Sequence, residues 1–396
     1  MNDEMIKRLK ICLILLVCMF LTTGCWDERE INDRAIILGW GFDQNEEGDY
    51  IGSAQIVVPG EVGERSSGQG KGYIVETATG KSLLDVTQNL QRKLSREVFL
   101  SHQKVIVIGE RLARNGISNI LDVYSREPEL PIRTNFFVLK NGEAFDFLEV
   151  PYKMEDMPST AALKMFQSTA GPESTTFKDF LEGASSEGIS PTVPILEIIN
   201  SKKEKEKDTE TFRLGGRAIF NQDLELVGFL SYRESVDRLW IINKLNTHKL
   251  TTNLLGEEGN VGIMGMNFKS KIQPIIQNDQ VEFHITLSGT GVVRENNTAL
   301  DLKQPKNLQI IERTFNKNLQ DHMISTITKV QKEYKTDILG FGQSIHKKYP
   351  RKWKIWKKDW SKKFSDADIT VKVDINIERT GVTGSPLHLK ESEIQK

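Results

Sequence analysis

Apolar and polar positions follow three rhythms along this chain. At residues 369–377 the alternation is strict. Ile369, Val371, Val373, Ile375 and Ile377 are separated by polar positions, which predicts a strand with one buried face. Val281, Phe283, Ile285 and Leu287 alternate with Glu282, His284 and Thr286 in the same way. At 305–332 the apolar spacing becomes three or four. Leu308, Ile311, Phe315, Leu319, Met323, Ile327 and Val330 form one stripe, which predicts a long amphipathic helix. The third rhythm is the short unbroken apolar run: KVIVIG at 104–109 reads as a short buried strand, NFFVLK at 135–140 as strand-like, and AIILGWGFD at 35–43 as a first strand. Helical spacing recurs at 81–95 (Leu83, Leu84, Val86, Leu90, Leu94) and at 110–123, where Gly116 interrupts it. Two strands, 216–220 and 224–230, are expected to meet at a turn through Asn221, Gln222 and Asp223. Residues 60–72, rich in Gly and Ser, read as a loop. No repeat of fixed period is visible. Strands mixed with helices in this way predict an α+β fold of mixed α/β layers.

The chain has 396 residues, which suits two or three domains at about 100–200 residues each. The stretch 201–210, SKKEKEKDTE, has no apolar residue and dense mixed charge. It reads as a charged linker or loop and marks the expected main boundary. The layout is then a leader at 1–24, an N-terminal α/β region at 25–200, the charged stretch, and a C-terminal α/β region at 211–390 that further subdivision would make three domains in all.

The N-terminus follows a separate logic. Lys7, Arg8 and Lys10 precede an apolar run of 11 residues, 11–21. A membrane-spanning helix needs roughly 20, so the run reads as the core of an export signal. Thr22, Thr23 and Gly24 lead directly into Cys25. Small residues before a cysteine are what a lipoprotein peptidase cuts, although Thr22 stands where leucine is usual. An ordinary export signal with a chance cysteine is the alternative. The other two cysteines, Cys12 and Cys18, lie in the segment to be removed. Cys25 therefore has no disulfide partner and is the candidate lipidation site. Diacylglycerol supplies the two acyl chains that stable anchoring takes. No other apolar run is long enough to span a bilayer.

Motifs for catalysis are missing. No nucleophile elbow, H-E-x-x-H or Walker loop occurs. The histidines at 102, 248, 284, 322, 346 and 388 never fall three to five residues apart, so no local metal site is expected. Gly39-Trp40-Gly41 and Gly289-Thr290-Gly291 lack the third glycine of a dinucleotide loop. Carboxylate pairs such as Glu28/Glu30 and Glu127/Glu129 read as surface charge. The formal net charge is −1, which gives no general drive toward nucleic acid. No catalytic residue, cofactor, metal or nucleic-acid partner is expected.

One segment stands apart. HKKYPRKWKIWKKDWSKKF at 346–364 carries nine Lys or Arg residues around Trp353, Trp356 and Trp360. The tryptophans are spaced i, i+3, i+7 and share one face of a helix. Either that stripe packs on the domain's sheet while the lysines face water, or the segment contacts a partner or a membrane interface.

CWDEREINDRAIILGWGFD at 25–43 resembles the mature start of the Ger(x)C spore germination lipoproteins. The resemblance continues in LSHQKVIVIGERLARNGI (100–117), GGRAIFNQDLELVGFLSYRES (215–235), KVQKEYKTDILGFGQSIHKKYPRKWK (329–354) and VKVDINIERTG (371–381). It implies mixed α/β domains, no catalysis, and a role as the C subunit of a nutrient germinant receptor. Its implied partners are two integral membrane subunits, A and B, and its implied place is the outer face of the inner spore membrane, held by lipid on Cys25. Assembly or signal relay is the function expected first. Binding of the nutrient itself between domains is the alternative. A hydrolase built on a buried carboxylate such as Glu234 is a third.

Overall fold

The computed structural model describes residues 3–21, 30–58, 72–128, 130–169, 175–201, 209–254, 258–379 and 390–394. Two sheets organise these residues into an α+β fold. After α1 (Asp3–Leu21), strands β1 (Arg34–Gln44), β2 (Tyr50–Val57) and β3 (Tyr73–Gly80) form an antiparallel meander. Helix α2 (Leu83–Gln91) leads to β4 (Glu97–Phe99), which runs parallel to the start of β1. Strand β5 (Val105–Gly109) lies parallel to the rest of β1. Helices α3 (Glu110–Asn115) and α4 (Ser118–Arg126) follow, separated at Gly116, whose φ of +101° suits glycine. Strand β6 (Asn135–Lys140), helices α5 (Ala144–Glu149), α6 (Pro158–Thr169) and α7 (Phe177–Ser185), and strand β7 (Thr192–Ser201) come next. β5, β6 and β7 are parallel neighbours. β8 (Thr209–Phe220) and β9 (Leu226–Leu230) complete the sheet antiparallel. Its order is β3-β2-β1-β5-β6-β7-β8-β9, with β4 beside β1.

This first sheet is covered on both faces. Ile106, Ile108, Phe136 and Val138 face a core shared with α2, α3, α4 and α7. Val105, Val107, Phe137 and Leu139 face a second core with α5 and α6. A strand buried on both sides needs apolar residues at every position, which is why 104–109 and 135–140 show no alternation.

The second sheet has the opposite character. It follows α8 (Tyr232–Ile241) and consists of β10 (Thr247–Asn253), β11 (Asn260–Gln277), β12 (Gln280–Asn296) and β13 (Asp368–Arg379), in that order. Asn278 and Asp279, both with positive φ, make the tight turn between β11 and β12. The connection from β12 to the parallel strand β13 runs through α9 (Pro305–Lys329), a π-helical turn (Val330–Tyr334), α10 (Phe341–Lys348), α11 (Pro350–Trp356), a 3-10 turn (Lys357–Asp359) and α12 (Trp360–Asp366). Phe283, Ile285, Leu287, Val371, Val373 and Ile375 point into a core with these helices. The intervening residues stay more exposed, so these strands alternate as expected. The stripe on α9 is likewise buried at Ile311, Phe315, Leu319, Met323 and Ile327.

The strands on either side of the stretch expected as the main boundary, 201–210, are partners in one sheet. β7 and β8 pair from Thr192 opposite Ile219 out to Ser201 opposite Thr209, so this stretch connects the arms of one hairpin. Residues 209–230 belong to the first sheet. Ile219 and Leu230 of the first sheet are buried in the second core, so the two units share packing.

Candidate functional site

The tryptophan segment lies where the two units meet. Trp353, Trp356 and Trp360 are 2 %, 3 % and 3 % exposed. Their rings are core, and the surface they leave outward is lysine. The single expected helix is two short helices with a 3-10 turn between them, yet the three rings keep a common side. Trp353 stacks on His346 with centroids 5.9 Å apart and meets Trp360 edge-on at 5.3 Å.

Each outer indole N–H has an acidic partner. Trp353 Nε1 donates to Glu187 at 2.8 Å, and Lys357 Nζ donates to the same carboxylate at 2.7 Å. Glu187 stands on the loop between α7 and β7, so these bonds join the first unit to the second. Gln343 N donates to Gly188 O at 3.1 Å, and Ser190 N donates to Asp337 O at 2.7 Å. Gly188 has φ +82°, and a side chain there would collide with the Gly342 backbone.

Asp337 organises the inner end. Its Oδ1 accepts from Leu339 N, Gly340 N and Phe341 N, and its Oδ2 from Gly342 N at 2.7 Å and Trp360 Nε1 at 3.0 Å. The carboxylate thereby satisfies the first amides of α10. Burial pushes its pKa up, against the pull of these donors. Nearby, the Asp237 carboxylate lies within hydrogen-bond distance of His322 Nδ1, 2.5 Å, and accepts from Thr326 Oγ1 at 2.7 Å. Burial raises its pKa as well. Glu234 pairs with Lys329 at 3.0 Å and caps α8 through Ser231 N. Its pKa is depressed: burial opposes the shift, but the bonds from Ser231 and Lys329 outweigh it. A low-pKa carboxylate tied to a cation is poorly placed for general acid catalysis.

A cavity of 370 Å³ opens at the junction, lined by Phe166, Leu214, Arg217, Tyr232, Leu239 and His248 among others. A β-bulge makes room for it. Pro194 pairs with Arg217 and Leu196 with Leu214, which sets Gly215 and Gly216 against the single Ile195, one extra residue on β8. Arg217 Nε donates to Thr192 Oγ1 at 2.8 Å. Desolvation lowers the pKa of His248. The walls are mostly apolar, with a guanidinium and an imidazole among the lining groups, an arrangement suited to a small amphipathic molecule.

Among the described residues no cluster of His, Cys, Asp or Glu could hold a metal ion, and no helix is long and apolar enough to cross a membrane. Cys25, the expected lipidation site, lies outside the described residues, as do Glu28 and Glu129 of the carboxylate pairs.

Comparison with known families is decisive. The family model for the spore germination protein N-terminal domain matches residues 27–198, and that for the spore germination B3/GerAC-like C-terminal domain matches 215–381. The chain belongs to the Ger(x)C family of spore germination proteins. Ger(x)C relatives align along nearly their whole length. Spore germination protein KC of Bacillus subtilis is 26 % identical over 401 residues, covering 97 % of this chain and 98 % of its own length. Spore germination protein B3 of the same organism is 24 % identical over 375 residues, covering 94 % and 98 %. The crystal structure of the GerBC protein superposes with a TM-score of 0.56 at 22 % identity, covering 86 % of this chain and 97 % of that one. It confirms the Ger(x)C fold.

Sequence reasoning singled out the tryptophans but not their partners. Glu187 and Asp337 are isolated acids in otherwise unremarkable stretches, and nothing local marks them as paired with indoles far along the chain. A glycine pair inside a strand is the kind of local mark a bulge leaves, as at 215–216; the cavity beside it leaves no such mark.

Proposed function

We propose that this protein is the lipid-anchored C subunit of a nutrient germinant receptor in the inner spore membrane, acting in receptor assembly or signal relay. The observation that carries this reading is the match of both Ger(x)C domains, in order, across almost the whole chain. Cys25 as the anchor and integral membrane A and B subunits as partners belong to the same reading. The structure supports a non-catalytic role: its buried carboxylates are bound to amides, indoles and cations within the fold. A lipid anchor would confine two interlocked units to a thin layer beside the membrane subunits, raising their effective concentration so that weak surfaces suffice.

The test is germination of spores lacking the gene, against a panel of nutrients and against calcium dipicolinate. Loss of one nutrient response with the dipicolinate response intact supports the reading. A defect in both, or in neither, refutes it for this copy. A Cys25→Ala variant is expected to leave the membrane fraction.

The junction cavity favours a second reading, in which the protein binds the nutrient itself. Calorimetry with amino acids, sugars and nucleosides separates the two. A saturable heat that disappears in an Arg217→Ala variant supports nutrient binding, and no heat with any of them removes it.

A further inference from the structure

The basic residues of 350–364 divide into two groups. Those beside the core are used within the fold: Lys352 and Lys363 pair with Asp279, and Lys357 with Glu187. Those on the opposite face are not. Arg351, Lys354, Lys358 and Lys362 are exposed, and their side chains make no hydrogen bond or ion pair among the described residues. They recur at intervals of three or four through α11, the 3-10 turn and α12, exposed where Trp353, Trp356 and Trp360 are buried, so they line the solvent side of the segment. Lys335, in the left-handed conformation at φ +50°, adds another cation beside it. With Lys332, Lys358 and Lys362 it lines a shallow groove of 490 Å³, in which Asp359 and Asp366 are the acidic members. Between Lys354 and Lys358 along the chain stands Ile355, 70 % exposed.

We infer that this face docks on an anionic lipid bilayer, with the lysines among the phosphate head groups and Ile355 at the acyl boundary. Charge complementarity is the first argument. The whole chain is nearly neutral, at −1, while this face gathers unpaired cations, and each basic residue near an anionic membrane strengthens association about fivefold. The nature of the exposed apolar residue is the second. Single-stranded nucleic acid needs aromatic planes to stack on, and all three tryptophans are turned inward. An isoleucine offers no stacking plane but enters a lipid interface readily. The inference stands on this face alone and does not require the receptor reading.

Hydrogen exchange of the full chain on vesicles tests it. One set of vesicles is phosphatidylcholine alone; the other contains about 30 % phosphatidylglycerol, enough for a substantial surface potential. The N-terminal segment is the same in both, so the comparison reads the basic face. The expected result is slower exchange at 350–366 on the anionic vesicles only. Triple charge reversal, Lys354→Glu with Lys358→Glu and Lys362→Glu, is expected to weaken docking by at least about a hundredfold and restore the faster rate. The milder Ile355→Asp variant is expected to reduce the protection with every cation kept. Equal exchange on both vesicle types overturns the inference. So does slowing that survives the triple reversal, or slowing produced equally by an acidic protein in free solution.

Discussion

Asp43 shows how one side chain can set a pH response. It ends the GWGFD run of β1 and is buried. Its Oδ1 accepts from Ala144 N at 2.8 Å and its Oδ2 from Phe145 N at 3.3 Å, at the start of α5. Gly109 has no side chain because a Cβ there would strike this carboxylate. Burial pushes its pKa from 3.8 up to about 7, with the neighbouring Glu143 and Asp146 adding to the shift. A carboxyl group whose pKa is higher in the folded state holds its proton more tightly there. Its contribution to stability is complete below the unfolded pKa and is lost as pH rises through the folded one. Urea unfolding at pH 5 and pH 8 is therefore expected to show the native chain losing about 2–3 kcal/mol more than an Asp43→Asn variant. An identical pH dependence in the two would mean that Asp43 is ionised throughout. The aspartate itself was visible in the sequence. Its burial was not, because the partner amides lie about a hundred residues away.

At the scale of elements, the outer strand β13 shows how an exposed edge is closed. Its free side faces α9. Asn316 Oδ1 accepts from Ile375 N at 2.7 Å, Asn316 Nδ2 donates to Ile375 O at 3.4 Å, and Glu312 Oε1 accepts from Ile377 N at 2.7 Å. A helix thus supplies the partners that another strand would provide, and blocks pairing with a second molecule. Asn316→Ala is expected to cost about 1–3 kcal/mol, since it leaves buried strand groups unpaired. The drop is measured by chemical denaturation, and light scattering should show the variant aggregating earlier on heating. No loss of stability would mean that water satisfies the edge. The strict alternation of 369–377 made the strand legible because one face is buried and the other wet. Nothing in that pattern said that it would be an edge, or that α9 would cover it.

For the whole molecule, the two sheets behave as interlocked units. The β7–β8 hairpin spans the stretch where sequence placed a boundary, and the Trp353–Glu187 and Ser190–Asp337 contacts bind the units a second time. Cleavage within the lysine-rich stretch 202–208 is therefore expected to leave the two fragments associated on gel filtration until denaturant is added. Fragments that separate in native buffer would restore the boundary to that stretch. By itself the sequence determined the Ger(x)C kinship, the α+β class, the one-faced strands, the long helix and the absence of catalytic motifs. These follow from local order: periodicity, charge runs and short motifs are properties of neighbours along the chain. Tertiary structure alone decided that the tryptophans are core and the lysines surface, that the charged stretch joins a hairpin, and that Asp43 and Asp337 are buried. Burial is set by residues far away in sequence, and a pattern of neighbours carries no record of which distant surface will cover it.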